Sequence, residues 1–214
     1  MKLKTLYEDK AILAIDKPVG ILVDEVLEKF PGCFLAHRLD KETSGVLLLA
    51  KNEKAHEFLQ KQFKARTIKK IYIAVVQGSV KNDRGVVNKP IGRSPRDFRR
   101  YSAGRGARGE MREAETFWKV LKRIKDFTIL EVRPKTGRTH QIRVHMKYLN
   151  HPVAGDALYN PRLPAPEAAG NGGQAKDKKW PRMMLHALSI EFKNLKGEVV
   201  KIESPLPKEF EKLI

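Results

Sequence analysis

Strand-like apolar segments dominate the chain, each short and closed by turn residues. Ala11 to Ile15 is one such run, stopped at Asp16-Lys17-Pro18-Val19-Gly20. Ile21-Leu22-Val23 follows, then a brief helical piece from Asp24 to Phe30 that ends at Pro31-Gly32. Val46 to Ala50 reads as a buried strand. The segment from Asn52 to Ala65 is the clearest helix: Asn52 suits its N-cap, and Ala55, Phe58, Leu59 and Phe63 recur on one face. Ile68 to Val76 reads as a central strand, because both of its alternating faces are largely apolar. Ala114 to Leu121 and Phe127 to Val132 predict a β-pair. His140 to Leu149 predicts a helix with Thr139 as N-cap and Ile142, Met146 and Leu149 turned inward. Met183 to Phe192 and Val199 to Ile202 predict a hairpin around Asn194-Leu195-Lys196-Gly197, and Pro205 and Pro207 lead into a short terminal helix. The irregular order of strands and helices points to the α+β class.

Two segments follow neither periodicity. Residues 93–112 hold seven arginines among several glycines, and residues 161–181 are rich in Pro, Ala and Gly. The first reads as a basic loop and the second as a flexible insertion, since long loops of this kind are functional or disordered. No repeat and no interdomain linker interrupts the rest, so residues 1–214 read as one domain. The charge sharpens the picture. Lys and Arg number 43 against 25 acidic residues, a net +18, far beyond the magnitude of roughly 2–8 usual for a small domain. Nucleic acid is the commonest partner of such a surface. Cys33 is the only cysteine, which excludes an intrachain disulfide and a cysteine metal cage. Met1-Lys2-Leu3-Lys4-Thr5 lacks an apolar signal core, and no apolar run reaches membrane-spanning length, so the expected compartment is the cytoplasm.

Candidate chemistry centres on His37-Arg38-Leu39-Asp40-Lys41-Glu42-Thr43-Ser44-Gly45. Cationic neighbours favour the anionic form of a carboxylate, and an anionic carboxylate in a cleft is a candidate nucleophile. Asp40 pairing with Arg38 or capping a turn is the plainer alternative. A second block runs from Lys135 to Met146. Arg143 lies one turn into its helix, on a face apart from Ile142 and Met146, free to turn toward a site. Arg138 and His140 open that helix, whose first N–H groups suit an anion. They join Arg93, Arg96, Arg99 and Arg100 as candidate RNA contacts, because guanidinium forks bind phosphate bidentately. Phe98 and Tyr101 stand among these arginines, placed to stack on bases. Tyr72 is either core packing or a site aromatic. His140 and His145 are five apart and do not share a helix face, which speaks against a zinc pair.

These residues resemble the RluA-type pseudouridine synthases. His37-Arg38-Leu39-Asp40-x-x-Thr43-Ser44-Gly45 is similar to that family's catalytic motif. Asp9 to Gly20, Lys70-x-Tyr72-x-Ala74-x-Val76-x-Gly78, Lys89 to Arg93, Thr136 to His145, His151 to Tyr159 and Leu185-His186-Ala187 follow in the family's order over nearly the whole chain. The resemblance implies a large, mostly antiparallel, bifurcated sheet with an RNA cleft. It implies isomerisation of uridine to pseudouridine in ribosomal or transfer RNA, with neither metal nor organic cofactor. By that analogy Asp40 is the nucleophile, Tyr72 stacks on the target base, and Arg143 pairs with Asp40. Arg38 helps to evict the uridine from its stack, and Leu185 packs beneath the site. The small N-terminal RNA-binding module of many relatives is not expected, and a monomer is. The rival readings are a non-catalytic RNA-binding or ribosome-assembly protein and a metal-dependent nuclease.

Overall fold

The computed structural model describes residues 3–104, 107–160 and 180–214. The chain forms two compact units: one holds Met1–Tyr72 and His186–Leu213, the other Ile73–Leu185 with Ile214.

Two strands of the first unit, Ile12–Lys17 and Ser44–Ala50, are buried on both faces. β1 (Lys4–Glu8) pairs antiparallel with β2 (Ile12–Lys17), and β2 pairs antiparallel with β4 (Ser44–Ala50), which also takes the two-residue β3 (Phe34–Leu35). On its other side β4 runs parallel to β12 (Leu185–Lys193), through His186 opposite Ser44 and Ala187 opposite Gly45. β12 and β13 (Val199–Glu203) make the expected hairpin. Successive side chains of a strand point to opposite faces. Ile12, Ala14, Leu48 and Ala50 therefore cluster with Ala55 and Leu59 of α2 (Glu53–Lys64). Leu13, Ile15, Leu47 and Leu49 cluster with Val23 and Val26 of α1 (Val23–Leu27). Cover on both sides explains why these strands read as unbroken apolar runs. Asn52 caps α2 as expected, its Oδ1 accepting the Ala55 N–H at 2.9 Å.

β5 (Lys69–Gln77) leads from the first unit into the second. There the strand order is β5-β11-β10-β6, with β6 at Arg84–Asn88, β10 at Glu115–Ile124 and β11 at Phe127–Pro134. β10 and β11 are the predicted antiparallel pair. α3 (Gln141–Tyr148) differs from expectation at its start: the N-cap is His140, in the left-handed region at φ 56°, rather than Thr139. The basic segment differs more. It forms a separate antiparallel sheet in the order β8-β7-β9, from β7 (Ile91–Arg93), β8 (Tyr101–Ala103) and β9 (Arg108–Arg112). All five residues of β9 are exposed, so no apolar alternation announces it. Ile91 anchors the sheet in a cluster with Ala114, Val144 and Tyr159. Of the expected flexible insertion, residues 161–181, all but Trp180 and Pro181 lie outside the described residues. The terminal helix, α4 (Lys208–Glu211), buries Phe210. Mainly antiparallel sheets with, among the described residues, four short helices make this an α+β protein.

Candidate active site

Residues 37–45 are held from several sides. The Thr43 N–H donates to the Asp40 carbonyl at 3.0 Å and closes a turn. The Lys41 carbonyl accepts both the Gly20 N–H at 2.9 Å and the Lys17 ammonium at 3.1 Å. Lys17 is fully buried, and its Nζ also donates to the carbonyls of Pro18 at 3.0 Å and Ile21 at 2.9 Å. Three carbonyls meet the three donors of the ammonium, which is what lets a charge stay in an apolar interior. Lys17 thus fastens the Asp16–Ile21 turn to the residue after Asp40. Gly45 is fixed by packing. At φ 113° a Cβ would run into the Ala187 backbone of β12, within 2.7 Å of its carbonyl carbon, besides its oxygen. Beside it, Ser44 Oγ bonds His186 Nδ1 at 2.8 Å, both side chains buried.

Tyr72 packs partly buried against the cluster that includes Leu13, Leu39 and Leu47. Burial raises the pKa of its hydroxyl, and the charge of Asp40 raises it further. The carboxylate and the phenol therefore lie within electrostatic reach of each other. Lys70, two residues earlier and so on the same face of β5, is pushed down to about 8 by burial. His37 accepts the Leu48 N–H at Nε2, 3.1 Å away, which leaves its proton on Nδ1. Burial, helped by the charge of Lys70, lowers His37 to about 4. Arg38 is exposed, while Asp40 is partly buried.

In the second unit, Arg143 is buried with its counter-ion. Its Nε and Nη2 donate to the two oxygens of Asp156 at 2.7 and 3.0 Å. Asp156 Oδ1 also accepts the N–H groups of Leu158 and Tyr159. The Tyr159 ring lies under the guanidinium, 5.0 Å from its carbon, and the Tyr159 oxygen accepts the Tyr101 N–H at 2.9 Å and meets His140 Nδ1 at 2.8 Å. These bonds hold His140 in its left-handed conformation at the head of α3, a strain of the kind concentrated at functional sites. Gly155 belongs to the same construction, since a Cβ there would meet the Arg182 backbone. A second network fixes the other side of α3. The Lys89 carbonyl can only accept, so His145 Nε2 donates to it at 2.9 Å. Nδ1 then accepts the Thr116 hydroxyl at 2.8 Å, and Thr116 Oγ1 accepts the Gln141 amide at 3.0 Å. Burial lowers the His145 pKa and keeps this neutral tautomer.

A family model described as RNA pseudouridylate synthase matches residues 24–148, which span the Asp40 segment, Tyr72 and Arg143. The chain belongs to the RNA pseudouridine synthase family. It is 36% identical over 231 residues to the ribosomal large subunit pseudouridine synthase D of Xanthomonas campestris, covering 99% of this chain and 68% of that protein. It is 41% identical over 213 residues to an uncharacterized RNA pseudouridine synthase of Helicobacter pylori strain J99, covering 98% and 77%. The solved structure of human RNA pseudouridylate synthase domain containing 1 superposes with a TM-score of 0.80 at 28% identity, covering 96% of this chain and 84% of that one. The fold is thus the pseudouridine synthase fold, and the activity is isomerisation of uridine to pseudouridine in RNA.

The synthase distributes its sequence-predicted residues over both units. Arg38, Asp40 and Tyr72 belong to the first, and Arg143, Leu185, Arg93, Arg96, Arg99, Arg100, Arg138 and His140 to the second. Leu185 is buried at the start of β12. Arg99 and Arg100 pair with Asp97 at 3.0 and 3.2 Å, while Arg96 is exposed. Asp156 and Tyr159 are the residues whose roles the spacing of Arg143 does not reveal. The signal lay in Gly155-Asp156-x-x-Tyr159, a glycine held at φ 71° beside a buried acid. No three described His, Cys, Asp or Glu residues are grouped to hold a metal ion. No described helix is long and apolar enough to cross a membrane.

Proposed function

We propose that Asp40 is the nucleophile of this synthase and that residues 1–214 act as one catalytic domain in the cytoplasm. The isomerisation breaks the bond from N1 of uracil to the ribose, joins C5 to the same ribose carbon, and moves one proton from C5 to N1. Atoms and electrons balance without water, oxidant or reductant. The Asp40 carboxylate supplies the electron pair that stabilises the ribose carbon while the base turns, as a carboxylate does in glycoside cleavage. Tyr72 stacks on the everted base and takes part in the proton transfer. Arg143, its plane set by Asp156 and Tyr159, pairs with Asp40, and Leu185 packs beneath the base. Arg38, exposed beside Asp40, displaces the uridine from its stack. Eversion costs a few kcal/mol, which phosphate contacts from Arg93, Arg96, Arg99, Arg100, Arg138 and the first turn at His140 offset. The substrate is a structured RNA, with ribosomal RNA favoured by the name of the Xanthomonas relative.

The observation that carries this reading is the packing of Tyr72 against the cluster that holds Leu39, the residue before Asp40. The test is tritium release from RNA carrying 5-tritiated uridine. Asp40→Asn is expected to release none while binding RNA within about twofold of the wild type, because the substitution keeps the side chain's size and leaves intact the phosphate contacts that dominate affinity. Turnover by Asp40→Asn at the wild-type rate would refute the assignment.

A further inference from the structure

One cavity among the phosphate-contacting arginines has no ligand in this scheme. It lies within the second unit, between the β8-β7-β9 sheet and the turn Gly137-Arg138-Thr139, and measures about 610 Å³. Small-molecule sites fall in the range of roughly 300–1,000 Å³. Four guanidiniums, Arg93, Arg108, Arg112 and Arg138, line it against one carboxylate, Glu110. Three of the four are oriented by neighbours. Arg93 Nη1 donates to the Phe98 carbonyl at 2.8 Å, Arg138 Nε to the Glu113 carbonyl at 2.9 Å, and Arg112 pairs with Glu110 at 3.2 Å. A guanidinium carries about five N–H donors, so each of these has donors left for a ligand. The Arg108 side chain has no hydrogen bond or ion pair among the described residues. Tyr101 adds an aromatic wall, with the Arg93 guanidinium carbon 4.9 Å from the ring centre. Such a lining suits an anion joined to a flat polar ring better than an apolar ligand or a bare phosphate.

We propose that this cavity is a second nucleotide subsite, which holds one unstacked nucleotide of the substrate RNA other than the target uridine. Its phosphate sits on Arg108 and Arg138, its base lies beside Tyr101 and Arg93, and an exocyclic amino group donates to Glu110. The inference rests on the RNA reading above and adds a substrate class to it. The RNA must offer an unpaired cytidine, adenosine or guanosine besides the uridine. A carboxylate can only accept, so it welcomes the amino group of cytosine and repels the carbonyl oxygen that uracil carries in the same place. Forked guanidiniums, for their part, recognise phosphate.

Cytidine and uridine 5′-monophosphates differ at the edge in question, so they are the probes, with cytidine and inorganic phosphate as controls. Each is titrated calorimetrically into the full chain, and only binding lost in Arg108→Ala counts as binding in this cavity. Cytidine monophosphate is expected to bind about fivefold tighter than uridine monophosphate, the worth of one hydrogen bond of ordinary strength. It is expected to bind about tenfold tighter than cytidine, from the charge-assisted contacts of its phosphate, and about tenfold tighter than inorganic phosphate, from the base against Tyr101 and Glu110. Glu110→Gln is expected to erase the preference for cytidine. Both substituted side chains are exposed, and thermal melts are the check that both variants fold. Phosphate binding as tight as that of cytidine monophosphate would overturn the proposal, as would a preference that survives Glu110→Gln. Binding is read here without turnover. An Asp40→Asn enzyme that still releases tritium therefore sinks the catalytic assignment alone, and equal binding of the two nucleotides sinks the subsite alone.

Discussion

Arg143 donates two charge-assisted hydrogen bonds to Asp156, and both side chains are buried. Removing one charge of a buried pair costs about 3–5 kcal/mol, because the other stays behind unneutralised. Asp156→Asn is therefore expected to lose roughly that much stability in urea unfolding and to slow single-turnover pseudouridine formation. Stability within error of the wild type would mean that Arg143 finds its balance elsewhere. His37 gives a pH signature. Its folded-state pKa, about 4, lies below the ordinary 6.5, so the unfolded chain binds a proton that the folded one refuses. Above pH 6.5 the residue has no effect, and as pH falls toward 4 it withdraws about 2–3 kcal/mol of stability. His37→Gln, which keeps an acceptor for the Leu48 N–H, should flatten the stability curve between those limits. At this scale the candidate nucleophile was legible, since a short motif carries it. The seat of Arg143 was not, because the pairing with Asp156 depends on how the chain turns at Gly155.

The strands and helices follow from patterns that differ in clarity. α2 was readable to within a residue, having both a cap and a stripe. The covered strands β2 and β4 were readable as apolar runs. β1, with polar residues and a partly exposed pattern, was not, and β7, β8 and β9 are too short and too basic to mark themselves. Thr139 was expected to cap α3 because a hydroxyl before a helix usually does. Here Gln141 takes over: its Oε1 accepts the Arg138 N–H at 2.9 Å and the Thr136 hydroxyl at 2.6 Å, and His140 is left at the cap. Gly45 shows what a motif glycine is for. Gly45→Ala would force β4 and β12 apart and is expected to destabilise by on the order of 3 kcal/mol or more, beyond the ordinary glycine-to-alanine change. Chemical denaturation measures it, and a neutral result would mean that the two strands can separate without loss.

At the scale of the molecule, the charge of +18 was visible from composition, and so was the nature of the partner. RNA affinity should fall steeply with salt, the logarithm of the association constant dropping by about 0.7–0.9 per neutralised phosphate for each decade of salt. A slope shallower than about −3 in filter binding would mean that most of the basic surface lies outside the interface. The division into two units was invisible in the sequence, because no linker separates them. The chain enters the second unit after Tyr72 and leaves it at His186 without any change of composition.

That path has a consequence for how the protein is made. The strand next to the Asp40 segment finds its parallel neighbour only at His186 and Ala187, more than a hundred residues downstream. A ribosome adding about 5–20 residues per second needs on the order of ten seconds to supply them. Until then the nascent chain holds the candidate nucleophile without the strand against which Gly45 packs, and a product that stops short of β12 lacks that wall altogether.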